Sequence, residues 1–294
     1  MKRSLLLVLL AWSLLATPAV TPGQKPTNPT AAPRSTAVAP ARAKSVPLAE
    51  AVPFVNKTLS NGLEIVVLED HSVPLVTVEL AVRNGSFTEP PELNGLSHLY
   101  EHMFFKANRA TSNREEYLKT IDQLGIMYNG QTQEEIVEYY FTTTTPNLPV
   151  AMHFMRDAVR YPLFDEHQFE QEREVVIGEL DRHESNPFGF LSSEMNNRLF
   201  YKYPSRKDPG GNKQTVASAT TEKMRLIQGR YYVPNNSAII LTGDISAPAA
   251  FSMVEELFGD WPRRAIDPFK EFPWLSIRRC QRAKARSSNS PCKM

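Results

Sequence analysis

The sequence predicts an α+β fold, in which a β-sheet packs against a layer of helices. Runs rich in β-branched residues indicate strands, and longer amphipathic runs indicate helices. The two kinds are interspersed along the chain without the strict alternation that is typical of a doubly wound parallel sheet. No internal repeat is visible in the 294 residues.

The N-terminal segments are expected to lie outside the folded core. Lys2 and Arg3 precede an apolar run from Leu5 to Leu15, an order typical of a secretory signal peptide, here residues 1–20. An uncleaved N-terminal anchor is the alternative. Residues 21–51 are rich in proline and alanine and poor in large apolar side chains, which predicts a disordered linker. We therefore predict an exported protein, either periplasmic or secreted.

The folded domain is predicted to span residues 52–270, and residues 271–294 are predicted to form a basic, disordered tail. The tail holds the only two cysteines, Cys280 and Cys292, and neither has a Cys or His neighbour at a metal-ligating spacing. The net charge of +1 gives no general case for a nucleic-acid partner. No hydrophobic run after the signal peptide predicts a stable membrane span.

The domain begins with two alternating apolar runs, residues 63–68 and 74–83, which predict neighbouring strands. A helix is expected over residues 95–106. Ser112 and Glu115 form a capping-box pattern for the next helix, which Gly125 ends. The later patterns predict strands at 136–145 and 237–243, and helices at 148–161, 165–184, 219–229 and 247–258.

The helix over residues 95–106 carries two histidines and a glutamate on one stripe. His98 and His102 are four residues apart, so their side chains lie one turn apart on the same face and can share one ion. Glu101 can approach a water on that ion without being a ligand, as a general base must. A hydrogen-bonded structural cluster is the alternative. The largely apolar neighbours favour a metal, because buried polar groups need partners.

A catalytic zinc ion takes three protein ligands, and the helix over residues 165–184 offers too many acidic residues for counting to choose the third. Glu179 follows its most apolar part, residues 175–178, where a carboxylate needs a cation. Glu172 lies two turns earlier on nearly the same stripe. It either orients a ligand or the attacking water, or is an ordinary exposed glutamate.

These residues resemble the inverted zinc motif of the pitrilysin or insulinase family of metallopeptidases. The motif is His98-Leu-Tyr-Glu101-His102, followed by 76 residues and then Glu179. The further matches are Gly95, Phe105-Lys106, residues 129–132, residues 232–236 and Gly243-Asp244. The resemblance covers residues 53–262 and implies a mixed, mainly antiparallel sheet packed against helices.

By this resemblance, His98, His102 and Glu179 bind one Zn²⁺ per chain, and Glu101 is the general base. Glu172 matches a glutamate that assists catalysis, and Asn129 matches a position near the edge strand on which a peptide substrate lies as an added strand. The implied function is a zinc endopeptidase that hydrolyses short or unfolded peptides.

The chain departs from the family in length, and Gly130 stands where alanine is usual. Family members generally continue into a second half that lacks the metal and helps to clamp substrate. A natural short form, a truncated gene and a shifted reading frame are the open explanations. A second copy of the chain or a partner subunit is expected to supply that half. The alternative function is a non-catalytic, zinc-stabilised module that binds peptides or a partner.

Overall fold

The computed structural model describes residues 53–201 and 208–271. The predicted signal peptide and linker, and the tail from residue 272 onward, lie outside the described residues. The strands are β1 (Val55–Thr58), β2 (Glu64–Glu69), β3 (Leu75–Val82), β4 (Met127–Thr132), β5 (Val137–Thr144) and β6 (Ser237–Gly243). The helices are α1 (Leu96–Phe104), α2 (Arg114–Gln123), α3 (Leu148–Arg160), α4 (Glu166–Ser185), α5 (Pro187–Leu199), α6 (Lys213–Ala217), α7 (Thr221–Tyr231), α8 (Ala247–Phe258) and α9 (Pro268–Glu271).

The strands form one sheet in the order β1-β2-β6-β3-β5-β4. Only the β2–β6 pair is parallel among the strands described, and the others are antiparallel. The predicted α+β class, with a mixed and mainly antiparallel sheet packed against helices, is confirmed.

The prediction that β2 and β3 are neighbours is wrong, because β6 lies between them. Ile239 of β6 pairs with Ile65 of β2 on one side and with Leu80 of β3 on the other. Ile239 and Leu241 are fully buried. The strongly apolar β6 therefore takes a central place, although it follows β3 by more than 150 residues in the chain.

On one face of the sheet, the covered face, most side chains of the four central strands are fully buried. These residues are Ile65, Val67, Val76, Val78, Leu80, Val82, Val137, Tyr139, Phe141, Ile239 and Leu241. Helices α1, α3 and α8 pack on this face and contribute to the same core. Burial of this many large apolar side chains is the main stabilising term of the domain.

The alternate residues of the same strands form the open face, on which no side chain is buried. The open face includes Glu64, Val66, Leu68, Thr77, Glu79, Ala81, Met127, Asn129, Gln131, Glu138, Tyr140, Thr142, Ala238, Ile240 and Thr242. The hydroxyls of Thr77 and Thr142 are 2.8 Å apart, as expected for a cross-strand pair on one face.

The start of α2 is one residue later than the predicted capping box. Asn113 is the N-cap, and its Oδ1 accepts a hydrogen bond from the backbone N–H of Glu116 at 2.9 Å. The backbone N–H of Ser112 donates to the Glu116 carboxylate. Asparagine and serine are equally good N-caps, so the pattern alone did not choose between the two registers. Gly125 follows the helix with φ +57°, as the predicted stop requires. No helix in the described ranges is long and apolar enough to cross a membrane.

Candidate metal centre

Helix α1 is held at its N-terminus by a buried carboxylate. The N-cap, Gly95, has φ +92° and no side chain, so it cannot satisfy the first N–H groups. Glu89 accepts hydrogen bonds from the N–H groups of Gly95 at 2.8 Å and Ser97 at 2.6 Å. A negative charge at this end of a helix is also favoured by the helix dipole. Glu89 therefore fixes where the helix that carries the two histidines begins.

The loop before α6 packs directly on this helix start. A Cβ atom on Gly211, which has φ +86°, would lie 2.0 Å from the Cα of Gly95. Only two glycines permit this approach of two backbones. The contact places Pro209 and Gly210 beside the stripe that carries His98.

His98, His102 and Glu179 converge, with one ligand atom from each lying within 4.8 Å of the others. The Glu179 Oε2 atom is 3.6 Å from His98 Nε2 and 3.5 Å from His102 Nε2. Ligand bonds of about 2.0–2.1 Å in a tetrahedral zinc site place neighbouring ligand atoms about 3.3 Å apart. Both the spacing and the donor set of two imidazoles and one carboxylate fit zinc.

The protonation of the group also suits metal binding. Burial of the imidazole, together with the nearby His102, lowers the pKa of His98 to about 4, so that His98 is neutral at physiological pH. His102 Nδ1 is 3.2 Å from Glu172 Oε2, and Lys106 Nζ is 2.7 Å from Glu172 Oε1. Burial opposes ionisation of Glu172, but hydrogen bonds from His102 and Lys106 outweigh it and lower its pKa to about 2. A proton on His102 Nδ1 leaves the Nε2 lone pair facing Glu179.

The expectation that Glu179 lies in a buried, apolar setting is wrong, although Glu179 does converge with the two histidines. The Glu172 side chain is 9% exposed, whereas that of Glu179 is 38% exposed. Val175, in the apolar part of α4, is itself largely exposed. The apolar run does not mark burial here, because Val175 and Glu179 lie one turn apart on a side of α4 that does not enter the core. Because the Glu172 side chain is only 9% exposed, the alternative that it is an ordinary exposed glutamate is wrong.

Glu101 lines the same cleft as His98 and is not part of the converging group. Thr132 of β4 donates a hydrogen bond to Glu101 Oε2 at 2.6 Å. Burial raises the pKa of Glu101, although the Thr132 hydrogen bond and nearby His102 act in the opposite direction. The cleft has a volume of about 280 Å³ and is lined by His98, Glu101, Gly130, Gln131, Thr132, Pro209 and Gly210. A Cβ on Gly130 would lie 2.9 Å from Glu101 Cγ, so this glycine gives the carboxylate room.

Asn129 lies on the edge strand β4 but is not among the residues that line the cleft. It pairs with Tyr140, which places its side chain on the open face. Its Oδ1 accepts a hydrogen bond from the N–H of Gly130 at 3.0 Å. The structure thus directs the Asn129 side chain away from the cleft, which its neighbour Gly130 lines.

Sequence reasoning did not assign roles to Lys106, Thr132 or Glu89. Lys106 lies four residues after His102 and just beyond the end of α1, and this spacing could have placed its side chain on the same side as His102. Thr132 and Glu89 reach α1 through contacts between separate segments, for which no local signal exists.

Two family models match the chain. The model described as insulinase (peptidase family M16) matches residues 64–206. The model described as the peptidase M16 inactive domain matches residues 218–287, which extends into the tail outside the described residues.

Two proteins with similar sequences are described as zinc proteases. The uncharacterized zinc protease YmxG of Bacillus subtilis is 27% identical over 227 residues, which cover 77% of this chain and 55% of YmxG. The zinc protease PqqE of Helicobacter pylori is 25% identical, with 68% of this chain and 46% of that protein covered. The chain thus spans about half the length of these relatives.

The solved structures show the same fold. The first half of the periplasmic protease PqqL from Escherichia coli superposes with a TM-score of 0.67 at 23% identity, covering 73% of this chain and 47% of that chain. A protease from Helicobacter pylori gives a TM-score of 0.66, also at 23% identity. The resemblance read from the zinc motif is confirmed. The chain belongs to the pitrilysin or insulinase family of peptidases, M16.

Proposed function

We propose that this chain is a zinc-dependent endopeptidase that hydrolyses short or unfolded peptides and binds one zinc ion per chain. The observation that carries the proposal is the convergence of His98, His102 and Glu179 beside a carboxylate, Glu101, that is not one of them. Three protein ligands leave a fourth position open, which is typical of catalytic zinc, whereas structural sites are usually closed by four.

A bound zinc ion would act as a Lewis acid that lowers the pKa of water and polarises a peptide carbonyl. Glu101 is the general base. It takes the proton of the attacking water and returns it to the leaving amine, and a raised pKa suits a group that does both. Thr132 holds one carboxylate oxygen, Oε2, and so orients the other for this transfer. The hydrogen bond from β4 therefore keeps the base in one rotamer.

Glu172 supports the reaction through His102 rather than by touching substrate. Its two oxygens are engaged by His102 and Lys106, so it orients the imidazole and holds the proton on Nδ1. Lys106 compensates the charge of the buried carboxylate. Glu172 is accordingly a positioning residue.

The substrate is an extended peptide added to β4, the strand at the edge of the sheet beside the cleft. An edge strand has one row of unpaired backbone groups, and main-chain hydrogen bonds to it select extended peptides over folded ones. Asn129 and Gln131 contribute through their backbone on this edge.

The domain boundaries and the location are also part of the proposal: a signal peptide over residues 1–20, a linker over 21–51, a peptidase domain over 52–270 and a tail over 271–294. PqqL, which has the same fold, is described as periplasmic, which supports export. The matched part of this chain covers only 55% of YmxG and 46% of PqqE, which supports a second half supplied by another copy or a partner subunit.

The test compares the mature chain with Glu101→Gln in zinc content and peptide cleavage. The variant keeps the three ligands, so zinc should stay stoichiometric, while cleavage falls by about 10²–10⁴-fold through loss of the base. Glu174→Gln, at a side chain that is 70% exposed on α4, is the matched control and should cleave normally. Equal cleavage by Glu101→Gln contradicts the assignment of the base. Stoichiometric zinc and peptide binding without turnover in the unmodified chain, even with a second copy or partner added, favours the non-catalytic module instead.

A further inference from the structure

The open face of the sheet combines apolar and acidic side chains across four neighbouring strands. One row runs from Val66 through Ile240 and Glu79 to Tyr140, as the strand register shows. Helices α1, α3 and α8 pack on the covered face, so this row has no layer of the described residues above it. A sheet face with this composition is suited to a partner that is partly apolar and partly cationic.

The acidic residues of the open face are Glu64, Glu79 and Glu138. Within residues 53–201 and 208–271, none of the three makes an ion pair with a cationic side chain. Burial and the like charge of Glu138 raise the pKa of Glu79. Positive charge placed over this pair would relieve the repulsion between the two carboxylates.

The described chain ends beside this face. Asn235 exchanges hydrogen bonds with the backbone of Arg264, at 3.1 and 3.3 Å. Arg83, which continues the open-face alternation of β3, is 3.3 Å from Asp267. A groove of about 230 Å³ opens at this point, and its lining includes Glu64, Ala81 and Ala238 of the open face. Residues 264–267 therefore lie at the rim of the face.

The chemistry of residues 272–286 matches the face. Residues 272–277 are Phe-Pro-Trp-Leu-Ser-Ile, and residues 278–286 contain five cations, while residues 272–294 contain no acidic side chain. Six extended residues span about 20 Å, at about 3.3 Å each. The row from Val66 to Tyr140 crosses three strand spacings of about 4.8 Å, or about 14 Å, so six extended residues are long enough to cross it.

We propose that residues 272–286 dock on the open face of their own domain, with the apolar part over Val66, Ile240 and Tyr140 and the cations against the three glutamates. This interaction gives the sheet a second covering layer. It is independent of the peptidase activity and does not depend on zinc.

Disulfide trapping tests where the tail lies. In a chain with Cys292→Ser, Cys280 is the only native cysteine, and a second cysteine is introduced by Tyr140→Cys on the open face. Leu118→Cys on α2 is the control, because Leu118 is 43% exposed and Tyr140 is 37% exposed. A disulfide needs the two Cα atoms within about 7 Å. A docked tail should cross-link to position 140 within one chain at least about tenfold faster than to position 118.

Equal cross-linking rates at the two positions would overturn the proposal, because docking on the open face must favour position 140. A disulfide-linked dimer whose yield rises with protein concentration would also overturn it, in favour of a second copy as the occupant. Neither result depends on whether the chain cleaves peptides.

Charge reversal tests the electrostatic part. Glu79→Lys with Glu138→Lys should speed tryptic cleavage after Arg278, Arg279 and Arg282 by about tenfold, because the tail is repelled. Glu115→Lys with Glu256→Lys makes the same change in net charge at exposed helix positions and should leave cleavage at the slow rate. A cleavage rate that is the same in all three proteins contradicts docking on this face.

Discussion

The two faces of the sheet differ in burial and in charge pairing, although they are built from alternate residues of the same strands. On the covered face, Ile239 is fully buried, while its neighbour Ile240 points to the open face and is only partly buried. The buried carboxylate on the helical side, Glu172, is paired with both Lys106 and His102. The open-face carboxylates have no such cations among the described residues. The domain therefore concentrates its stability on one face and leaves capacity for binding on the other.

The largest loss of stability is expected at the contact between Gly211 and Gly95 in the helical layer. Gly211→Ala places a Cβ 2.0 Å from Gly95 Cα at a residue with φ +86°. We expect the free energy of unfolding to fall by about 3 kcal/mol or more, since backbone overlap adds to the strain of a left-handed alanine. Zinc affinity should fall with it, because the loop supports the start of α1. Urea unfolding and zinc titration measure the two effects.

Gly229→Ala is the control, because nothing lies within 4 Å of a Cβ at that position in α7. Alanine is a better helix former than glycine, so this variant should gain about 0.5–1 kcal/mol. An equal loss of stability in both variants would show that the contact with Gly95 is not the reason that position 211 requires glycine.

The two isoleucines measure the difference between the faces directly. Ile239→Ala leaves a cavity in the core and should cost about 2–5 kcal/mol. Ile240→Ala removes the same atoms from the open face and should cost about 1 kcal/mol in urea unfolding, against less than about 0.5 kcal/mol at an uncovered surface position. Similar losses at both positions would mean that the open face is packed as tightly as the covered one. A docked tail should bring the cost at Ile240 above the value for an uncovered position.

The parts of this structure that the sequence predicts depend on local spacing. His98, Glu101 and His102 lie on one stripe because a helix repeats every 3.6 residues, and no other part of the chain is needed to see this. The alternation in residues 75–82 likewise predicts a strand with one buried face. Asp165 starts α4 as its N-cap, with Oδ1 accepting from the N–H of Gln168.

The parts that were not predicted depend on contacts between segments. Strand β4 shows no apolar alternation, because its inward residues Gly130 and Thr132 face Glu101 and the cleft rather than the core. The sequence patterns also did not predict strand β1 or helices α5 and α6. Helix α5 has no buried residue, and Phe188 is 81% exposed, so its apolar residues do not report a core face. The position of β6 between β2 and β3 is likewise decided by packing across the chain.

The next prediction concerns the paired carboxylate on the helical side. Glu172→Gln keeps the size of the side chain but removes the charge that orients His102 and binds Lys106. Zinc affinity should fall by about 10–100-fold, the usual effect of losing a partner that orients a ligand. Competition with a chelator of known affinity measures it, and Glu174→Gln on the exposed side of α4 should show no change. A similar loss in both variants would point to a general effect of charge near the site.

The smallest effect is expected at the rim of the sheet, which belongs to neither face. A hydrogen bond with Asp244 at 2.7 Å, assisted by Glu69, raises the pKa of His71 above its usual value of 6.5. A raised folded-state pKa stabilises the fold at pH values below 6.5, and that contribution disappears as the pH rises through the folded-state value. His71→Gln should therefore lower the thermal midpoint slightly at pH 5.5 and leave it unchanged at pH 8.5. His153→Gln, at an exposed position on α3 without an ion pair among the described residues, should show no such dependence. A larger loss at pH 8.5 than at pH 5.5 would mean that His71 acts as a neutral packing residue.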